Sequence, residues 1–145
     1  MSEPTELGFQ NLKRVARYLI GRPRLVWEYR WQEAHHFDVY SDTDWAGCPK
    51  TRKSTSGGCV MIGSHLIKAW SSTQPGIALS SGEAEVVGVT RAAAIALGFR
   101  SLLQDFGQTS IQGRVWTDSS AAIGICKRQG LGKLRHLDTQ MLSVQ

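Results

Sequence analysis

The stretch that decides the fold is residues 39–45, Val-Tyr-Ser-Asp-Thr-Asp-Trp, in which an alternating, β-like run ends on acidic residues. Residues 115–121, Val-Trp-Thr-Asp-Ser-Ser-Ala, repeat that arrangement later in the chain. Between them, residues 80–86, Ser-Ser-Gly-Glu-Ala-Glu-Val, place a glutamate in the first turn of a helix. Two strand ends and a helix start can converge on one spot in an α/β fold. Because carboxylates gathered there repel one another unless a cation lies between them, the pattern predicts a divalent-metal site.

Size and composition indicate one folded domain. The chain has 145 residues, of which 41% are apolar, enough for a real core. No apolar run approaches the roughly 18 residues of a membrane span, and the first ten residues lack the apolar segment of a secretory signal. The three cysteines are scattered, which favours free thiols in a reducing, intracellular compartment. Zinc binding by these cysteines with histidines is disfavoured because paired metal spacing is missing.

The positive charge is clustered. The net charge is +5, and Lys and Arg concentrate in residues 13–24, 50–53 and 127–135. A basic surface around an acidic pocket fits a polyanion that is to be held and cut. Ordinary scatter of charge over a solvated surface is the alternative.

Hydrophobic periodicity predicts a mixed succession of helices and strands. The expected elements are a helix at 7–20, a short strand at 25–31, a strand at 37–41, a loop at 44–56, strands at 58–62 and 66–71 joined as a hairpin, a long helix from Ser80 to Gly107, a strand at 111–117 and a helix at 119–128.

The two glutamates at the start of the long helix are predicted to have different roles. Ser80 and Glu83 match a capping box, so Glu83 has a structural role. Glu85 instead heads an apolar stripe that continues through Val89 and Ala92. A carboxylate on such a stripe faces the body of the protein, which is unusual without a partner.

Five blocks follow one another along the chain: residues 40–47 (YSDTDWAG), 52–57 (RKSTSG), 69–72 (AWSS), 78–85 (ALSSGEAE) and 117–123 (TDSSAAI). In this order they resemble the RNase H domain of copia-type LTR retrotransposons. Residues 12–19 (LKRVARYL) are similar to the segment that links reverse transcriptase to that domain.

This resemblance implies an RNase H-like α/β fold, a mixed sheet with flanking helices. Residues 1–34 are expected to be the connecting segment and residues 35–145 the RNase H-like domain. The implied activity is that of an endoribonuclease that cleaves the RNA strand of RNA/DNA hybrids with two Mg²⁺ ions, for which Mn²⁺ could substitute. The implied partners are the reverse transcriptase and integrase parts of a polyprotein, with no membrane. The expected location is intracellular, either cytoplasmic in a virus-like particle or nuclear.

The resemblance assigns Asp42, Glu85 and Asp118 as the catalytic and metal-binding residues. Each has a structural alternative: Asp42 as a turn residue after its strand, Glu85 as an acid favoured by the helix dipole, and Asp118 as a helix N-cap. Asp44 is the rival to Asp42 within the first motif.

The end of the chain departs from the family pattern. Family members continue to a last strand and a last helix that carries a fourth catalytic Asp, and this chain stops at Gln145, before that point. The C-terminal strand, helix and fourth ligand are therefore expected to be missing. Asp138 is the candidate substitute, and His136 is a candidate proton shuttle, although a lone His is more often a surface or core residue.

Contacts with nucleic acid are expected from short hydroxyls and cations near the acids. Trp45, Trp70 and Trp116 are expected to lie in the core rather than to stack on bases. The candidate nucleic-acid-binding residues are Arg52, Lys53, Ser54, Thr55, Ser56, Ser81, Ser119 and Ser120.

Two other classes of function fit the same residues. One is a catalytically inactive RNase H-like remnant that binds hybrid or duplex nucleic acid through a basic face. The other is a structural tail of a reverse transcriptase that is inert alone.

Overall fold

The computed structural model describes residues 5–22, 24 and 26–127. Two compact units divide the chain, Met1–Trp31 and Gln32–Gln145. The assignment of residues 1–34 as a connecting segment stays a prediction. The expected loss of the last strand and helix, together with His136 and Asp138, lies outside the described residues.

The first unit contains one helix, α1 (Glu6–Ile20). The side chain of Thr5 caps it by accepting the Gly8 N–H at 3.1 Å. The helix is amphipathic, and its apolar residues, such as Leu12 and Val15, are exposed. The short strand expected at 25–31 does not form over its described residues, 26–31. Alternation alone sets a weak β preference, and the described part of this unit offers no second strand with which residues 26–31 could pair.

Over residues 32–127, the described part of the second unit, the chain forms a four-stranded mixed sheet with flanking helices. The strand order is β3-β2-β1-β4, with β1–β2 and β2–β3 antiparallel and β1–β4 parallel. This confirms the RNase H-like α/β fold class. In chain order the elements are β1 (His36–Asp44), β2 (Thr55–Ile62), β3 (His65–Thr73), α2 (Ser81–Asp105), β4 (Gln112–Trp116) and α3 (Ser120–Cys126).

The first two strands extend further into polar sequence than expected. Asp42 pairs with Gly57, and Asp44 pairs with Thr55. The predicted loop at 44–56 therefore shrinks to residues 45–54, and Asp42 lies inside a strand rather than in a turn. Backbone pairing continued past the last apolar residue because a strand needs a partner, not a hydrophobic side chain, at each position.

A glutamine from outside the sheet holds the predicted β2–β3 hairpin. The turn is Gly63-Ser64, with Gly63 at φ 55°, a conformation that favours glycine. The Gln32 amide donates to the Ile62 carbonyl at 2.6 Å, and its oxygen accepts the Ser64 N–H at 3.1 Å.

The core lies between α2 and the sheet. Phe37, Val39, Val60 and Ala92 are buried together, and the ring of Phe37 lies 5.9 Å from that of Phe99. This confirms the predicted apolar stripe. By length and composition α2 could also cross a membrane. Part of its apolar surface is buried against the sheet and α3, where Val86, Val89 and Ala92 lie in the core.

Candidate metal centre

Three carboxylates from three different elements meet at one edge of the sheet. Asp42 comes from β1, Glu85 from the start of α2, and Asp118 from the residues after β4. Each offers an oxygen, and these three oxygens lie within 4.8 Å of one another. This is the one cluster of potential metal ligands that the described part of the chain contains.

Parallel pairing explains why the two aspartates meet. Tyr40 of β1 lies opposite Trp116 of β4. Asp42 follows Tyr40 by two residues, and Asp118 follows Trp116 by two residues. Parallel strands end at the same edge of a sheet, so their last side chains lie close together. The sheet therefore brings together residues that are far apart in the sequence.

The carboxylate of Glu85 lies in an unfavourable electrostatic environment. Its Oε2 atom is buried and has no hydrogen-bond partner among the described residues. Burial raises the pKa of Glu85, the negative charges of Asp42 and Asp118 raise it further, and a contact with the Thr43 backbone works in the opposite direction. A partly buried carboxylate that lies beside two others is a natural ligand for a hard cation. The donor set thus fits Mg²⁺ or Mn²⁺.

The capping positions next to these acids are occupied by other residues. Ser119, not Asp118, caps α3 by accepting the Ala122 N–H at 3.2 Å. Ser80 accepts the Glu83 N–H at 3.2 Å, and Glu83 Oε2 accepts the Leu79 N–H at 2.8 Å. The predicted division between a capping Glu83 and an inward Glu85 therefore matches the geometry.

Asp44, the rival to Asp42, is not part of the cluster. Its carboxylate lies against the loop that follows, because a Cβ added at Gly47 would come within 1.8 Å of Asp44 Oδ2.

Sequence patterns missed Gln74, which is buried beside the cluster with 5% of its surface exposed. Its Nε2 atom donates to Ser56 Oγ and to the Ala84 carbonyl, each at 2.8 Å. Gln74 follows a strand and precedes Pro75 in a polar connection, a context that predicts exposure. No local pattern signals a buried amide.

Gly88 was also missed. A Cβ at this position would lie 2.5 Å from Thr43 Oγ1 and 3.1 Å from Ser41 Oγ. Glycine therefore lets α2 approach β1 closely, one turn beyond Glu85.

Two of the predicted nucleic-acid contacts need correction. Ser54 and Ser56 are only 0% and 2% exposed, and their hydroxyls serve internal bonds, to the Ala46 N–H and the Gln74 amide. They cannot reach a phosphate in this structure.

The other predicted contacts divide by exposure. Arg52, Ser81 and Ser120 are exposed, whereas Lys53, Thr55 and Ser119 are partly buried.

The sheet face that bears Asp42 carries two exposed aromatic rings. Tyr40 and Trp116 stack at 6.4 Å between ring centroids, and they line a shallow pocket of about 330 Å³ together with Asp42 and Asp118. Asp38 fixes the indole by accepting its N–H at 2.6 Å.

The expected core placement is therefore wrong for Trp116, which is 45% exposed. It is also wrong for Trp45, which is 46% exposed and whose indole N–H reaches the Ala78 carbonyl at 3.1 Å. It is right for Trp70, which packs on the core.

Charge is balanced over the described residues of the sheet unit. Residues 32–127 contain eight Lys or Arg and eight Asp or Glu. The positive excess of the chain therefore belongs to residues 1–31 and 128–145, and a basic surface around the acidic pocket stays a prediction.

The fold and the cluster together define a class: an RNase H-like α/β domain with three convergent carboxylates. No protein-family model matches the chain. Curated relatives nevertheless point to retroelements. The chain is 37% identical over 107 residues to the retrovirus-related Pol polyprotein from transposon RE1 of Arabidopsis thaliana, and 35% identical over 127 residues to that from transposon RE2. An uncharacterized mitochondrial protein of the same plant is 38% identical over 85 residues.

These alignments cover 74%, 87% and 59% of this chain. They span only 7%, 9% and 35% of the respective relatives. The similarity supports a retroelement-derived region of a copia-type polyprotein.

Proposed function

We propose that this chain is a metal-dependent endoribonuclease that cleaves the RNA strand of RNA/DNA hybrids. The observation that carries the proposal is the convergence of Asp42, Glu85 and Asp118, one oxygen of each lying within 4.8 Å of the others. The charges of Asp42 and Asp118 add to burial in raising the pKa of Glu85, and a divalent cation would offset that repulsion.

The three carboxylates would hold the metal, two Mg²⁺ ions in the full proposal, with Mn²⁺ as a substitute. Bound there, Mg²⁺ supplies an activated water and stabilises the departing oxygen of the phosphodiester. The role of the side chains themselves is to hold the metal in a fixed orientation. Asp42 is fixed from one side, since its Oδ1 accepts the Thr43 N–H at 2.8 Å. Glu85 is held by the first turns of α2, whose start is fixed by the cap at Ser80.

Substrate would be held by residues around this edge. Arg52 and Lys53 offer cations to the phosphates, while Thr55, Ser81, Ser119 and Ser120 offer hydroxyls to the sugar–phosphate backbone. The 2′-hydroxyl distinguishes an RNA strand from DNA. The proposal includes the reverse transcriptase and integrase parts of a polyprotein as partners, and an intracellular location in virus-like particles or the nucleus.

The first experiment is cleavage of an end-labelled RNA/DNA hybrid with Mg²⁺ and, separately, Mn²⁺. The change is Glu85→Gln or Asp118→Asn, and the matched control is Glu83→Gln, on the same helix turn but outside the cluster. RNA-strand cutting should fall by at least about a hundredfold in the first two variants, because each removes a charge that holds the metal. Glu83→Gln should retain most of the activity.

Cutting by Glu85→Gln at the wild-type rate would overturn this assignment of the site. No cutting by a folded wild-type chain, together with retained hybrid binding in a gel-shift assay, would favour the inactive nucleic-acid-binding remnant instead.

A further inference from the structure

Gln74 is a buried amide that joins the sheet to the helix bearing Glu85. Its backbone N–H donates to the Ser54 carbonyl at 2.8 Å, so the residue is fixed at its own main chain. Its side chain then bonds both to Ser56 Oγ of β2 and to the Ala84 carbonyl of α2, each at 2.8 Å. One side chain therefore connects a strand to a particular turn of a helix.

Both ends of this connection adjoin the acidic cluster. Ala84 is the residue immediately before Glu85. Ser56 pairs with Thr43 in the sheet, and the two hydroxyls lie 3.4 Å apart. Thr43 in turn follows Asp42 and donates its N–H to the Asp42 carboxylate at 2.8 Å. A continuous set of polar contacts thus runs from the main chain beside Glu85 to the carboxylate of Asp42.

The cluster needs such a restraint because its members repel one another. One oxygen from each of Asp42, Glu85 and Asp118 lies within 4.8 Å of the other two. Repulsion tends to move the start of α2 away from β1, whereas metal binding requires the oxygens to stay close. Hydrogen bonds from a side-chain amide that is buried from water are strong restraints, since breaking them leaves polar groups unpaired.

We propose that Gln74 is a positioning residue that fixes the separation of Glu85 from Asp42 for a bound divalent cation. This inference rests on the proposed function, because it assigns Gln74 to the same metal centre. Supporting interactions around metal ligands commonly change affinity by 10- to 100-fold when they are removed. Gln74 does not touch the metal position in this account and acts only through Ala84 and Ser56.

The test is Mn²⁺ binding by isothermal titration calorimetry at fixed pH, on the full chain. Gln74→Met keeps the length of the side chain and removes both of its donated hydrogen bonds. We expect its dissociation constant for Mn²⁺ to rise about tenfold.

Gln32→Met is the matched control, because Gln32 is also an amide that restrains main chain, at the β2–β3 turn instead of the cluster. Its affinity for Mn²⁺ should equal that of the wild type.

A second readout separates positioning from a merely structural role. The unfolding midpoint is measured with and without Mn²⁺, since a ligand that binds the folded state raises the midpoint, and raises it more when it binds more tightly. A structural role lowers both midpoints equally and leaves the Mn²⁺-induced rise unchanged. A positioning role shrinks that rise in Gln74→Met and leaves it unchanged in Gln32→Met.

Wild-type Mn²⁺ affinity in Gln74→Met would overturn the inference and leave the proposed function standing. No Mn²⁺ binding by the wild type would overturn both. Should Gln74→Met fail to fold, Ser56→Ala serves in its place, because it removes one acceptor and leaves the bond to Ala84. Unchanged affinity in Ser56→Ala would then count against the inference in the same way.

Discussion

The interface between β1 and α2 has two halves of opposite character. In one half Phe37 and Val39 pack against Ala92, and the contact is apolar. In the other half the same strand presents Ser41 and Thr43 to the same helix at Gly88. Strand alternation continues unbroken from one half to the other, and only the chemistry of the side chains changes.

The apolar half of the interface stabilises the fold, whereas the polar half lowers its stability. The apolar half buries hydrocarbon, the main favourable contribution to folding. The polar half contains the two buried side-chain atoms without partners in the described structure, Ser41 Oγ and Glu85 Oε2, and gathers three like charges. Natural sequences break local rules mostly at functional sites, which favours the polar half as the site.

The largest expected effect tests the apolar half. Phe37→Ala should lower the free energy of unfolding by about 3–5 kcal/mol, because Phe37 is 1% exposed and leaves a cavity against Phe99. Urea denaturation followed by far-UV circular dichroism measures this. Phe106→Ala is the control, since Phe106 is 72% exposed and should change stability by about 0.5 kcal/mol or less. Equal effects of the two substitutions would contradict the core described above.

An intermediate effect on the free energy of unfolding is expected where α2 crosses the polar half. Gly88→Ala places a methyl group 2.5 Å from Thr43 Oγ1, so it should destabilise by about 1–3 kcal/mol and weaken Mn²⁺ binding by moving the helix start. Gly98→Ala on the same helix meets nothing within 4 Å and should stabilise by about 0.5–1 kcal/mol. Urea denaturation of both variants and calorimetric titration of Gly88→Ala with Mn²⁺ give the comparison. A Gly88→Ala protein as stable as Gly98→Ala would show that α2 and β1 are not in close contact at Gly88.

The smallest expected effect is a pH dependence of protein stability that arises from Glu85 in the polar half. Since the folded protein raises the pKa of Glu85, the folded state holds a proton there that the unfolded state has lost. Stability of the metal-free protein therefore falls as pH rises from about 4.3, the ordinary value for Glu, through the raised pKa. Metal-free Glu85→Gln lacks this loss, so it should be more stable than the wild type at neutral pH and equal to it below about pH 4.

Thermal unfolding across pH, with and without Mg²⁺, measures that crossover. Mg²⁺ should reverse the order at neutral pH by stabilising only the wild type. A wild-type protein that is the more stable one at neutral pH without metal would show that Glu85 has a favourable partner in solution, contrary to its unpartnered oxygen.

Much of the fold could be read from local signals. The capping box at Ser80 located the start of α2 to the residue, because a cap depends on contacts between neighbours in sequence. The stripe through Val89 and Ala92 likewise predicted the buried face. Failures came where pairing or burial depended on distant residues. Residues 26–31 alternate without forming a strand, Trp116 is exposed, and Ser54 is buried.

The sequence by itself determined the order of the elements from β1 onward, the cap of α2 at Ser80 and the three acidic positions, since each depends on residues within a few positions of one another. Only the tertiary structure decided that Asp42, Glu85 and Asp118 share one spot and that Asp44 does not. It also decided that Gln74 links the two sides of the cluster. Those outcomes depend on the parallel register of β1 and β4 and on how closely α2 approaches the sheet. Both are fixed by contacts between residues far apart in the chain.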